Sequence, residues 1–246
     1  MMIEQEYRQA LVCLEIGKGK KNLPLVLQIN DDNTDAGIEG KVVEDVNTNT
    51  AYVWFEPTNC PSDWWINFNA WAVKTNHYDL IHDDDWEYTS SRIHKGWADA
   101  FERIRGFIHT IPDLIDPQIS NIIITGHSLG AAMATLCSLY MKKHFPKYDY
   151  QVYLFGSPKV GNESFINIQH LYVPRTYNFQ YRDDLVTKVP YSWLVIVTWC
   201  LYKKTGNVLH LGPKQKWYRF LIGRLGQDHH WSDYYNAIKK ELERYI

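Results

Sequence analysis

Ser128 lies in Gly126-His127-Ser128-Leu129-Gly130, a G-x-S-x-G pattern. A serine hydroxyl attacks a carbonyl only when a nearby base removes its proton and a carboxylate orients that base. Glycines two residues to either side leave room for a sharp, strained turn that presents the hydroxyl, and a helix starting just after it favours developing negative charge. With 14 Gly and 10 Ser in 246 residues, random placement gives about 0.03 such matches per chain. The flanks therefore carry more weight than the match. Asn121–Thr125 brings an Ile122-Ile123-Ile124 run suited to a strand buried on both faces. Leu129–His144 is apolar nearly all round, as a buried helix is, and ends in Lys142-Lys143-His144 with Pro146 beyond. Strand, turn and buried helix are the setting of a nucleophile elbow; the competing reading is an ordinary strand-to-helix turn with an incidental serine.

On such a fold the remaining partners follow in the order acid, then histidine. The strand expected over Thr176–Gln180 runs into Asp183-Asp184, placing a carboxylate at the end of the sheet where α/β sites form. Spacing alone does not choose between the two aspartates. The later histidines are His210, His229 and His230. His210 alternates like a strand residue in Val208–Leu211, while His229-His230 directly precede a helix expected over Ser232–Tyr245 with an apolar stripe of Trp231, Tyr235, Ile238 and Leu242.

These groups need a frame. Further strands are expected over Lys41–Val46, Ala51–Phe55 and Gln151–Phe155, and a further helix over Trp97–Ile111. Strands alternating with helices give an α/β class with a mostly parallel sheet covered on both faces. No repeat, low-complexity tract or linker divides the chain, so one domain over residues 1–246 is expected. Lys+Arg 26 against Asp+Glu 28 gives a net charge of −2, which offers no electrostatic reason to expect nucleic acid. The longest apolar run, Trp193–Tyr202, is about half of what a membrane-spanning helix needs and reads as a buried strand or an interfacial segment. The start, with Glu4 and Glu6, lacks a secretory leader and reads as cytoplasmic; a mature secreted form would look the same. Cys13, Cys60, Cys137 and Cys200 are scattered, arguing against a metal site or disulfide framework. Asp31-Asp32 with Asp35, and Asp83-Asp84-Asp85, read as solvated loops without the ligand spacing of an EF-hand. The outlier is aromatic content, 10 Trp, 17 Tyr and 9 Phe, enough to ask whether some rings face a ligand.

From about Gly40 to Ile238 the sequence resembles the class 3 lipases, the fungal-lipase-like α/β-hydrolases. Besides Gly126–Gly130, the segment His94-Lys95-Gly96-Trp97-Ala98-Asp99-Ala100-Phe101 is similar to that family's H-x-G-F-x-x-A-Y. The block Leu154-Phe155-Gly156-Ser157-Pro158-Lys159-Val160-Gly161-Asn162 is similar to its TFGSPRVGN, a far more specific pattern. Asp184-Leu185-Val186-Thr187-Lys188-Val189-Pro190 resembles its D-I-V-P-x-L-P, which places the acid at Asp184. Asp228, His229, Tyr234 and Ala237 fit the register around its histidine, which favours His229 over His230. The resemblance implies a Ser128–Asp184–His229 triad that hydrolyses carboxylic esters, chiefly acylglycerols, through an acyl-enzyme and without metal or cofactor. The alternatives are a small-ester or feruloyl-type esterase or a phospholipase of the same fold, or a non-catalytic lipid-binding domain.

Where the family carries F-R-G-T or F-R-G-S, this chain has Phe55-Glu56-Pro57-Thr58, followed by Asp63-Trp64. The resemblance makes Thr58 and Leu129 the oxyanion donors; Pro57 fixes its own φ and restricts Glu56 but leaves the Thr58 N–H intact. It also suggests a lid at residues 59–73, where Trp64 or Trp65, Phe68 and Trp71 fall on one helical face that would bind acyl chains or a lipid–water interface. A short helix packed permanently on the core is the other reading of that segment.

Overall fold

A computed structural model describes residues 2–30, 37–56, 72–81, 90–190, 201–213 and 229–245. Its centre is a seven-stranded sheet in the order β1 (Leu25–Asn30), β2 (Glu39–Asp45), β3 (Thr50–Phe55), β6 (Asn121–His127), β7 (Asp149–Phe155), β8 (Thr176–Tyr181), β9 (Asn207–Leu211). The two pairings at the β1 end are antiparallel, and the four from β3 to β9 are parallel. This is the α/β-hydrolase arrangement expected; β1 was not among the expected strands, and β9 holds the Val208–Leu211 segment that alternates like a strand. A second, two-stranded sheet pairs β4 (Ala72–Lys74) with β5 (Arg92–His94).

Helices cover both faces. On one lie α2 (Lys95–Leu114) and α3 (Leu129–His144), with α4 (Glu163–Tyr172) beside α3. The other face carries α1 (Met2–Gly17) and α5 (Trp231–Leu242) packed together. The core is accordingly double. Ile122, Ile124, Val152 and Leu154 point towards α2 and α3, and Tyr52, Trp54, Ile123, Tyr153 and Phe155 point towards α1 and α5. The isoleucine run of β6 thus serves both layers, as a central parallel strand must. Helix α3 is buried from Leu129 to Met141, and its basic last turn lies at the negative end of the helix dipole.

Helix α5 buries Ile238 and Leu242 of the expected stripe, and Tyr234 beside them, while Trp231 and Tyr235 pack on the edge of that core. These two are half-buried, with rings stacked at 5.0 Å beneath Lys20. Tyr140 and Phe155 are buried. Cys13 and Cys137 are buried free thiols. Among the described residues, no helix is long and apolar enough to cross a membrane.

Candidate active site

The site is built at the carboxyl ends of β6, β7 and β8. β6 delivers Ser128 directly after His127, and Ser128 takes φ 59° and ψ −123°. A positive φ is costly for a residue with a side chain, and such strain concentrates at functional turns. Here the backbone holds it: Ser128 N donates to Phe155 O at 2.9 Å, and Ala131 N donates back to Ser128 O at 3.0 Å. The two flanking glycines are a steric requirement. A Cβ on Gly126 would lie 2.3 Å from the backbone of Gly130, and one on Gly130 would lie 2.3 Å from Phe55 O. The end of β3 therefore sits directly against the turn.

Asp184 follows β8 and is 2% exposed. Its Oδ1 accepts the Val186 N–H at 2.9 Å, and its carbonyl accepts the Thr187 hydroxyl at 2.8 Å, so the turn that carries it is self-bonded. Its Oδ2 takes two donors, His229 Nδ1 at 2.7 Å and the Tyr234 hydroxyl at 2.5 Å. With Nδ1 donating to a carboxylate, the His229 imidazole presents its Nε2 lone pair, the tautomer a general base requires. That Nε2 is buried and has no hydrogen-bond partner among the described residues. Asp183, one residue away, is half-exposed and forms a 3.6 Å ion pair with Lys188. His230 and His210 are exposed. Of the aspartates and histidines left open by spacing, the fold brings together Asp184 and His229.

Three residues support this pair without having been singled out for the task. Gly156, in the Phe155-Gly156-Ser157-Pro158 block, has φ +58°, and a Cβ there would come within 2.9 Å of both Asp184 Oδ2 and His229 Cε1. The Asp–His pair occupies the space that a side chain would fill. Tyr234, noted in the sequence only as a register mark, closes the other side of the carboxylate. The third is His127, whose ring stacks on His229 with centroids 4.6 Å apart and meets Tyr234 edge-on at 5.6 Å. Burial, reinforced by the neighbouring His229, keeps the His127 imidazole far below its usual range and hence neutral. No sequence signal separates that role from an incidental residue of the motif.

Leu129, the other half of the expected oxyanion hole, is the first residue of α3, so its N–H has no acceptor within the helix. Thr58 lies outside the described residues, as do Trp64, Trp65, Phe68 and Trp71; of the lid expected at 59–73, only residues 72 and 73 are described, and they belong to β4. The His94-Lys95-Gly96-Trp97 segment opens α2. The His94 N–H bonds to Val160 O at 3.0 Å, its buried ring lies 4.9 Å from that of Trp97, and burial pushes its pKa down to about 3.

The sequence matches the family described as Lipase (class 3) over residues 52–193, more than half of the chain. A secreted mono- and diacylglycerol lipase of Fusarium solani is 32% identical over 132 residues, which cover 52% of this chain and 35% of the relative. The triacylglycerol lipase OBL1 of Arabidopsis thaliana is 28% identical over 175 residues, covering 63% of this chain and 33% of that protein. The chain thus spans about a third of the length of these curated relatives. Among solved structures, the Rhizomucor miehei lipase–propeptide complex aligns with a TM-score of 0.68 at 16% identity, covering 84% of this chain and 68% of that one. A triacylglycerol lipase described as having a serine protease triad as its catalytic centre aligns at 0.65 and 18% identity, covering 85% and 80%. At such identities these structures speak for the fold.

Proposed function

The chain belongs to the class 3 lipase family, and from that premise we propose that it is a serine carboxylic-ester hydrolase acting on acylglycerols. The observation that carries the reading is the 2.7 Å bond from His229 Nδ1 to Asp184 Oδ2, beside a serine held at positive φ. His229 Nε2 takes the Ser128 proton as Oγ attacks the ester carbonyl. Negative charge then develops on the carbonyl oxygen, where the Leu129 N–H and, from the sequence register, the Thr58 N–H receive it. Collapse of the tetrahedral intermediate breaks the bond to the alcohol, and His229 returns the proton to the leaving oxygen. Water, deprotonated by the same nitrogen, attacks the acyl-enzyme; a second tetrahedral intermediate collapses, Ser128 regains its proton, and the carboxylic acid leaves. Asp184 keeps the imidazole in its tautomer and stabilises it while it is charged.

The substrate class follows the relatives, which are named as mono-, di- and triacylglycerol lipases. The aromatic segment holding Trp64, Trp65, Phe68 and Trp71 is the natural acyl-binding and lipid-surface element of this reading. The Fusarium relative is named as secreted, which favours action outside the cytoplasm over the cytoplasmic reading of the sequence. The test is hydrolysis of a soluble short-chain ester against a triacylglycerol emulsion. A rise in specific activity on the emulsion supports the acylglycerol reading; preference for the soluble ester makes the chain a small-ester esterase, and preference for phosphatidylcholine a phospholipase.

A further inference from the structure

Four side chains around the base close a ring, and one of them belongs to the strand that delivers the nucleophile. His229 Nδ1 donates to Asp184 Oδ2 at 2.7 Å, and the Tyr234 hydroxyl donates to the same oxygen at 2.5 Å. The Tyr234 ring meets His127 edge-on with centroids 5.6 Å apart. His127 then returns to His229 face to face, with centroids 4.6 Å apart and planes 27° from parallel. Three elements contribute: β6 ends on His127, Asp184 follows β8, and His229 and Tyr234 lie just before and within α5. The bonds and the stack act in different directions. A hydrogen bond to Nδ1 lies in the plane of the imidazole and leaves the ring free to swing about the bond; a ring packed on its face stops that swing.

His127 is itself firmly held. It pairs with Phe155 in the parallel β6–β7 ladder and is 4% exposed, and the next residue is fixed by the bond from Ser128 N to Phe155 O. Asp184 and Tyr234 tie the base to β8 and α5. The stack ties it to the nucleophile, because residues 127 and 128 share one peptide unit. What His127 offers is its face: neither ring nitrogen forms a hydrogen bond among the described residues, and the His229 backbone acts on the ring without reaching hydrogen-bond geometry. The ring stays neutral through burial and the neighbouring His229. The contact therefore survives the step in which His229 takes up the serine proton, since a neutral aromatic face attracts a cation where a second cation would repel it.

We propose that His127 is a positioning residue: its ring, stacked on His229, sets the plane of the base relative to Ser128, the next residue in the chain, so that Nε2 is aimed at the serine oxygen. The inference rests on the ester-hydrolase reading. A misplacement of about 1 Å can cost about 100-fold in rate, and a misaimed base weakens the transition state rather than substrate binding, so the loss falls on kcat. The experiment compares His127→Leu, which fills the space without a planar face, with His127→Phe, which restores one. It measures kcat, KM and the pH profile on a soluble short-chain ester, with melting temperatures alongside. Expected are a fall in kcat of about 30–100-fold for His127→Leu, recovery to within about 5-fold of wild type for His127→Phe, and KM within about 2-fold in both. The acid limb of the pH profile should stay in place in His127→Phe, because the native ring does not titrate there. A His127→Leu enzyme as fast as wild type overturns the proposal, as does a His127→Phe enzyme as slow as His127→Leu, a shifted acid limb, a loss carried by KM, or a loss that follows the melting temperature in both variants. Fluorophosphonate labelling separates the two levels: an unlabelled wild type removes the hydrolase reading itself, whereas a labelled wild type with His127→Leu labelled at the same rate removes only this inference.

Discussion

The ends of β7 and β8 and the end of β3 both serve Ser128, but they are held by different physics. Around Asp184 every group occupies space that another requires. Gly156 has room for a hydrogen only, Asp184 spends both oxygens on named donors, and His127 is stacked against His229. At the end of β3 the described contacts are made by the backbone: Glu56 N donates to Glu39 O at 2.9 Å, and Phe55 O and Glu56 O lie against Gly130. Close packing of side chains is specific and unforgiving; a backbone ladder tolerates most side-chain changes because every residue but proline offers the same donor and acceptor. The first region should therefore decide whether the chemistry occurs and the second how fast it runs.

This contrast can be broken most sharply at Asp184. Asp184→Asn should lower kcat by about 10⁴, because an amide no longer enforces the Nδ1–H tautomer of His229; a loss below 10-fold would remove Asp184 from the site. A steric insult follows in size. Gly156→Ala puts a methyl group within 2.9 Å of Asp184 Oδ2 and His229 Cε1 at a positive φ, and we expect activity to fall at least about 100-fold with about 1–2 kcal/mol lost in stability by denaturant titration. Full activity in that variant would show that the pair is not packed as described. Tyr234→Phe deletes one of two donors to Asp184 Oδ2 while leaving the ring that faces His127. Its expected cost is about 10-fold in kcat at constant KM. A Tyr234→Phe effect as large as that of Asp184→Asn would mean that the hydroxyl, not the imidazole, is the partner that matters.

The smallest effect concerns the frame and is read against pH. His94 is buried neutral, with its pKa pushed down to about 3, against about 6.5 in the unfolded chain. Between those values the unfolded chain binds the extra proton, so stability falls as pH drops from about 6.5 towards 3. His127 acts in the same sense. Replacing His94 with Phe should flatten part of the decline in melting temperature between pH 7 and 5. An unchanged slope would show that His94 does not contribute to it.

The two regions also differed in how legible they were. Helix α3 matched its expected bounds because a run of Ala, Leu and Met after G-x-S-x-G can only be a buried helix, and β3, β6, β7 and β8 announced themselves through β-branched and aromatic runs. The short β4 and β5, three residues each, have no room for a period. Helices α1 and α4 were not expected: α1 opens on interleaved charged and apolar residues, and α4 buries only Phe165, Ile168 and Gln169. In α5 the expected stripe ran through Trp231 and Tyr235, one step from the buried Tyr234, because aromatic rings on adjacent positions give a hydrophobic pattern no unique phase. That one-residue difference concealed the second donor to Asp184. The choice between Asp183 and Asp184, and between His229 and His230, rested on the family register; burial and hydrogen bonding give it a physical reason, since only one of each pair faces inwards. The stacking of His127 on His229 joins chain segments far apart in sequence, and no local pattern could have shown it.

The central claim is that Ser128 is an activated nucleophile. It is tested most directly by treating the protein with a fluorophosphonate and locating the adduct by peptide mass spectrometry. The account predicts one adduct per chain, on the peptide holding Gly126–Gly130 and at Ser128, lost in Ser128→Ala and strongly slowed in His229→Ala. An unmodified Ser128, or an adduct that persists in Ser128→Ala, would contradict it.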